Sequence, residues 1–167
     1  IVALHAVTTT NALRYAWDRT RDDATRRFIL LQNASFLPMF REAMQGRGQV
    51  ADRRIDRLAA TAAPEGPNAV ADILAEVSRD GRSAAGKALA HLEAGGKPEP
   101  LIQAARRTLL LKGDDAHDYK FAGAVFEDFG EIGSAWRNRF LAVAALRLHG
   151  SQDRDNPLVE RVRAAFA

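Results

Sequence analysis

Two of the four histidines in this 167-residue chain sit in polar patches on otherwise apolar segments, and their surroundings could do chemistry. The first patch is Leu4-His5-Ala6-Val7-Thr8-Thr9-Thr10-Asn11-Ala12-Leu13-Arg14. At 3.6 residues per turn His5, Thr8, Thr9 and Ala12 share a stripe, with Leu4 and Asn11 on its flanks and Arg14 on a neighbouring strip. His5 and Thr8 are i and i+3 neighbours, so the hydroxyl can bond the imidazole and fix its tautomer. Such a face either lines a site, with His5 as general base or metal ligand, or buries a histidine tied to a threonine.

The second patch is His117-Asp118-Tyr119-Lys120. His117 and Lys120 are i and i+3, and Glu127 falls seven residues beyond Lys120 on that face. An imidazole, an ammonium and a carboxylate on one side could hold an anionic or phenolic substrate, or shuttle protons. On the alternative reading His117 belongs to a first helical turn, and Lys120 and Glu127 are solvated. His5, His117 and Glu127 are also the candidate metal ligands, although no i, i+4 pair of donors shares one face of the later helix. A third polar feature is Gln32-Asn33 inside Ile29-Leu30-Leu31-Gln32-Asn33-Ala34-Ser35-Phe36. Buried amides there would bridge helices or point into a pocket. His91 is expected at a helix boundary. His149, before Gly150, is expected as a cation at its helix's negative end, outside any site.

Ala, Leu and Arg dominate, alternation of β-branched residues is nearly absent, and Gly/Pro clusters recur at helix-length intervals. The expectation is an all-α chain, an antiparallel bundle or irregular helical array of about eight or nine helices in a single domain spanning 1–167. Helices are expected near 3–19, 23–46, 51–62, 68–79, 83–94, 99–112, 115–130, 134–148 and 156–166. Asp23 is the expected N-cap of the second helix. Phe28, Leu31, Phe36, Leu37 and Phe40 cover more than one of its faces, so it should be central, with Pro38 kinking or splitting it. Phe121, Ala124, Val125 and Phe126 are the expected packed side of the 115–130 helix.

Zero cysteines exclude disulfides, thiolate metal sites and a Cys nucleophile, and are compatible with the cytoplasm. No apolar run approaches the ~20 residues that span a bilayer. Basic residues exceed acidic ones by 24 − 21 = 3. The pairs Arg26-Arg27 and Arg106-Arg107 and the Arg53-Arg54-Arg57 cluster are interleaved with acids or lie opposite apolar faces, without an aromatic platform. They read as solvated helix faces, and nucleic acid is not an expected partner. No phosphate-cradling glycine loop, nucleophile elbow or zinc-protease motif is present. The start at Ile1, inside an apolar segment, reads as a processed chain or a fragment lacking an N-terminal part.

Leu4-His5-Ala6-Val7-Thr8 followed by Asn11-Ala12-Leu13-Arg14 resembles a signature of the questin oxidase-like proteins. Asp115-Ala116-His117-Asp118-Tyr119-Lys120-Phe121 is similar to a later motif of that family, with Ala116 in the place of an acid and Asn11 where a histidine is often found. Phe140-Leu141-Ala142-Val143-Ala144-Ala145 resembles the segment that follows it. The resemblance covers the C-terminal portion of the family's length. It implies an oxidoreductase of Baeyer–Villiger type acting on an aromatic or polyketide-like substrate, with NADPH or iron as the source of redox chemistry. It also implies that His5 and His117 face a shared pocket near Phe28, Phe36 or Phe40. Carried over, it implicates His5, His117 and Lys120 in catalysis and Thr8 and Arg14 in substrate binding; Asn11, Gln32 and Asn33 join the candidate substrate-binding residues from their own placement on the first two helices. The competing expectation is a non-catalytic helical scaffold that packs against another chain or against the missing N-terminal half.

Overall fold

The computed structural model of the protein describes residues 2–47 and 54–167. All regular structure among these residues is helical: α1 (Val2–Arg19), α2 (Asp23–Gln45), a 3-10 turn (Ile55–Arg57), α3 (Ala69–Val77), α4 (Gly81–Glu93), α5 (Pro98–Lys112), α6 (Ala116–Glu131), α7 (Ser134–Ala144) and α8 (Pro157–Ala165). Where one domain was expected, the chain gathers into two compact units, Ile1–Arg53 and Arg54–Ala167.

The first unit is a helical hairpin. Asp22, not Asp23, caps α2: its carboxylate accepts the Thr25 backbone N–H at 2.7 Å and the Thr25 hydroxyl at 2.7 Å. These two bonds, the backbone one being the smaller influence, hold the Asp22 carboxyl below its ordinary value. The shift by one residue follows from Thr20, whose hydroxyl accepts the Asp22 N–H and turns the chain there. α1 runs unbroken through Thr8-Thr9-Thr10. α2 runs unbroken through Pro38, so the split expected there does not occur. Pro38 and Ala34 are both exposed, where water can take the Ala34 carbonyl that a proline leaves without its donor. Nor is α2 a central helix. It buries no residue, and Phe28 is 71% exposed. A helix with one packing partner in its unit can cover one face only, however many apolar residues it carries.

The second unit has its core on α4, whose Ala84, Ala85, Ala88, Leu89, Ala90 and Leu92 are buried. Small side chains let helices approach closely, and α3 and α7 pack against this surface. Phe121, Ala124, Val125 and Phe126 of α6 are buried as expected from their spacing, and Ala122 is buried with them. Explicit stop and start signals set the boundaries. Gly95 takes φ 90° after α4, a left-handed conformation that glycine adopts without penalty. Pro98 opens α5.

The helix expected over 51–62 falls partly on residues 51–53, which lie outside the described set. Its described part is a single 3-10 turn followed by extended chain. That chain is a strap across α4: the Thr61 N–H donates to the Gly86 carbonyl at 3.2 Å, and Arg139 donates to the Leu58 carbonyl at 2.7 Å. A Cβ on Gly86 would come within 2.7 Å of Thr61 Cγ2, so only glycine admits the strap at this distance. Backbone groups committed to α4 and α7 are unavailable for a helix of their own.

Candidate functional site

In the hairpin, a polar crosstie joins α1 and α2: the Thr10 hydroxyl donates to Asn33 Oδ1 at 3.0 Å. Asn33 therefore takes the bridging role that a polar residue amid apolar ones must find. Gln32 does not share it. Its side chain is exposed, so the expectation of a pair of buried amides holds for neither a pocket nor a bridge at that position. The reason is the 100° step between adjacent helical residues, which turns Gln32 away from the face Asn33 presents to α1. Beside the crosstie lies a cleft of about 330 Å³ lined by Thr10, Leu13, Arg14, Trp17, Ile29, Leu30 and Asn33. Arg14 is steadied by Asp18 one turn on, at 2.8 Å.

His5 is exposed on α1, with its ring centroid 6.5 Å from that of Phe40, which in turn lies 6.0 Å from Phe36. Thr8 does not fix its tautomer by donation. The Thr8 hydroxyl proton goes to the Leu4 carbonyl one turn back, at 3.1 Å, a local acceptor that is always within reach in a helix. Asn11 is half-buried on the same helix.

His117 lies in the second unit, in the first turn of α6. Asp115 is the N-cap, accepting the His117 backbone N–H at 2.7 Å and meeting His117 Nδ1 at 2.7 Å. Asp118 completes a capping box by accepting the Asp115 N–H. The His117 backbone bond and then its ring bond are the largest influences holding the Asp115 carboxyl below its ordinary value. A carboxylate can only accept, so the proton sits on Nδ1 and Nε2 becomes the basic nitrogen of a neutral ring. His117 thus belongs to the first turn of its helix, as the alternative reading had it. Lys120 and Glu127 are both exposed on α6.

His149, expected as a cation at the end of its helix, is elsewhere. α7 stops at Ala144, and a turn carries His149 between two acids. Its Nε2 is 2.9 Å from Asp118 Oδ2, and its Nδ1 is 3.3 Å from Asp153 Oδ2. Asp118 is 6% exposed and also faces Arg147 at 3.3 Å. Its burial raises the carboxyl pKa, but the His149 hydrogen bond and charge, the Asp115 N–H and Arg147 outweigh it, and the net shift is downward. Asp153 behaves alike: burial raises it, and Ser78, the Gly150 N–H and His149 together lower it further. No spacing rule joins His149 to Asp118, 31 residues away. The only sequence signal was a buried acid in a first turn, which must find a partner.

Among the described residues no group of three or more His, Asp or Glu side chains is placed to hold a metal ion, so the site offers no support for the iron that the family resemblance implies. The arginine pairs do have aromatic neighbours, contrary to expectation, because the rings come from other helices. Arg26 lies over Trp17 at 5.3 Å and Arg106 over Phe126 at 5.3 Å. In each the guanidinium covers the ring face on which a base would stack. No described helix is long and apolar enough to cross a membrane. The chain matches no family model, no curated protein and no solved structure.

Proposed function

We propose that the chain is an oxidoreductase, or the C-terminal part of one, that acts on an aromatic or polyketide-like substrate. The observation that carries this reading is the α1/α2 cleft. Its volume of about 330 Å³ is within the range of small-molecule sites, and its walls are Leu13, Trp17, Ile29 and Leu30. Arg14, Thr10 and Asn33 supply the few polar groups that orient a ligand in such a site. A guanidinium beside an indole suits a planar ring bearing an oxyanion. Binding and orientation of the ring are the part of the chemistry that these residues support; NADPH would enter as a co-substrate.

A hydroxylated aromatic quinone, titrated against the protein with Trp17 fluorescence as readout, tests the reading. Arg14→Ala should weaken binding by about tenfold, the effect of one lost charge-assisted hydrogen bond. Trp17→Phe should remove the signal. Equal affinity in the wild type and Arg14→Ala would refute the cleft assignment.

A second reading is favoured by α2, where Phe28, Leu31 and Met39 lie on one side of the helix and are all more than half exposed. On that reading the chain is a helical scaffold, and the apolar face of α2 is its contact surface for another protein chain.

A further inference from the structure

His149 stands between two carboxylates, an arrangement separate from the proposed cleft. Asp118 on α6 and Asp153 in the turn after α7 are hydrogen-bond acceptors only, and they meet opposite nitrogens of one ring at 2.9 and 3.3 Å. Both bonds require N–H on both nitrogens, which only the imidazolium has. A neutral ring keeps one and turns a lone pair toward the other carboxylate. The remaining neighbours are fixed in charge or engaged elsewhere. Arg147 faces Asp118, Asp115 pairs with His117, Ser78 from the end of α3 supports Asp153, and Arg79 reaches Gln152 at 3.4 Å.

We propose that His149 is a proton-gated pin: its imidazolium clamps the 149–153 turn to α6, and its neutral form releases the Asp153 side. The Asp153 arm is the one to open because it is the longer and less buried of the two. The downward shift of both carboxyls keeps each of them an ionised acceptor, so neither can supply the proton that the second bond needs. The turn it holds carries three further backbone bonds: Gly150 N–H to Asp153 Oδ2 at 2.9 Å, Ser151 N–H to the Leu74 carbonyl at 2.9 Å, and Gln152 N–H to Ser78 Oγ at 3.0 Å. Loss of the Asp153 anchor therefore loosens the seam between the turn and the end of α3. Asp118 is also half of the α6 capping box, so the pin reaches the turn that bears His117.

Amide hydrogen exchange of the whole chain, expressed as protection factors, reads this directly. Protection of the Ser151 and Gln152 amides should fall about tenfold as pH rises from about 5.5 to about 8.5. His149→Gln removes the titrating group. Asp153→Asn removes the second carboxylate, while its side-chain oxygen can still accept from Gly150. In both variants protection should be independent of pH. Constant protection in the wild type, or the same fall in either variant, would overturn the proposal.

Discussion

The hairpin and the Arg54–Ala167 unit are built from similar residues and use them in opposite ways. In the larger unit, alanines on α4 bring neighbouring helices close, and Leu89 is fully buried. In the hairpin, Leu4 is the one buried residue among those described, while bulky side chains such as Phe28 and Leu31 remain exposed. Burial, not hydrophobic content, separates a helix that stabilises from one that presents a surface. The larger unit should therefore carry most of the stability that cooperative unfolding measures, and the hairpin most of the surface available for recognition.

The sharpest way to break this contrast is a matched pair of truncations. Leu89→Ala should cost about 2–5 kcal/mol in urea unfolding, through lost transfer energy and the cavity left behind. Leu31→Ala should change the same measurement by less than about 0.5 kcal/mol, as exposed positions do. Similar costs at the two sites would show that α2 is covered in solution. Gly86→Ala comes next. Alanine favours the helix by up to ~1 kcal/mol, but its methyl displaces the Thr61 strap, and overpacking of that kind costs about 1–3 kcal/mol. The net loss should be modest, and it should appear as faster exchange of the Thr61 amide.

The smallest effect concerns acid. Asp118 and Asp153 have carboxyl pKa values below the ordinary 3.8, each through hydrogen bonds that outweigh burial. A carboxyl depressed in the folded state contributes stability that is fully present above 3.8 and lost as pH falls through the lower folded value. Melting temperature should hold down to about pH 4 and then decline, and the decline should be shallower in Asp118→Asn. An unchanged acid limb in that variant would separate the His149 cluster from stability.

The sequence was most legible where caps and periodicity act over a few residues. Pro98 and Asp115 announce α5 and α6, and the spacing of Phe121, Val125 and Phe126 announces the buried face. It was least legible where the deciding partner is distant in sequence. The strap over Gly86 replaced an expected helix because α4 and α7 supply bonds that residues 58–61 would otherwise have made among themselves. The N-cap moved to Asp22 through one threonine hydroxyl. His149 was misplaced because α7 ends at Ala144, sooner than its composition suggests. Of the candidate site residues, Arg14 and Asn33 line one cleft, and His117 meets the Asp115 carboxylate that caps its helix, a partner two residues away that its spacing to Lys120 did not point to.

The Thr10–Asn33 bond sets something that the apolar contacts of the hairpin cannot. Leucines and isoleucines tolerate sliding, and two helices displaced by one turn, about 5.4 Å, would still bury oily surface against each other. A hydroxyl and an amide must meet within hydrogen-bonding distance or lose each other altogether. This small notch therefore defines the register of α1 on α2, and with it the only alignment in which Arg14 and Trp17 stand opposite Ile29 and Leu30.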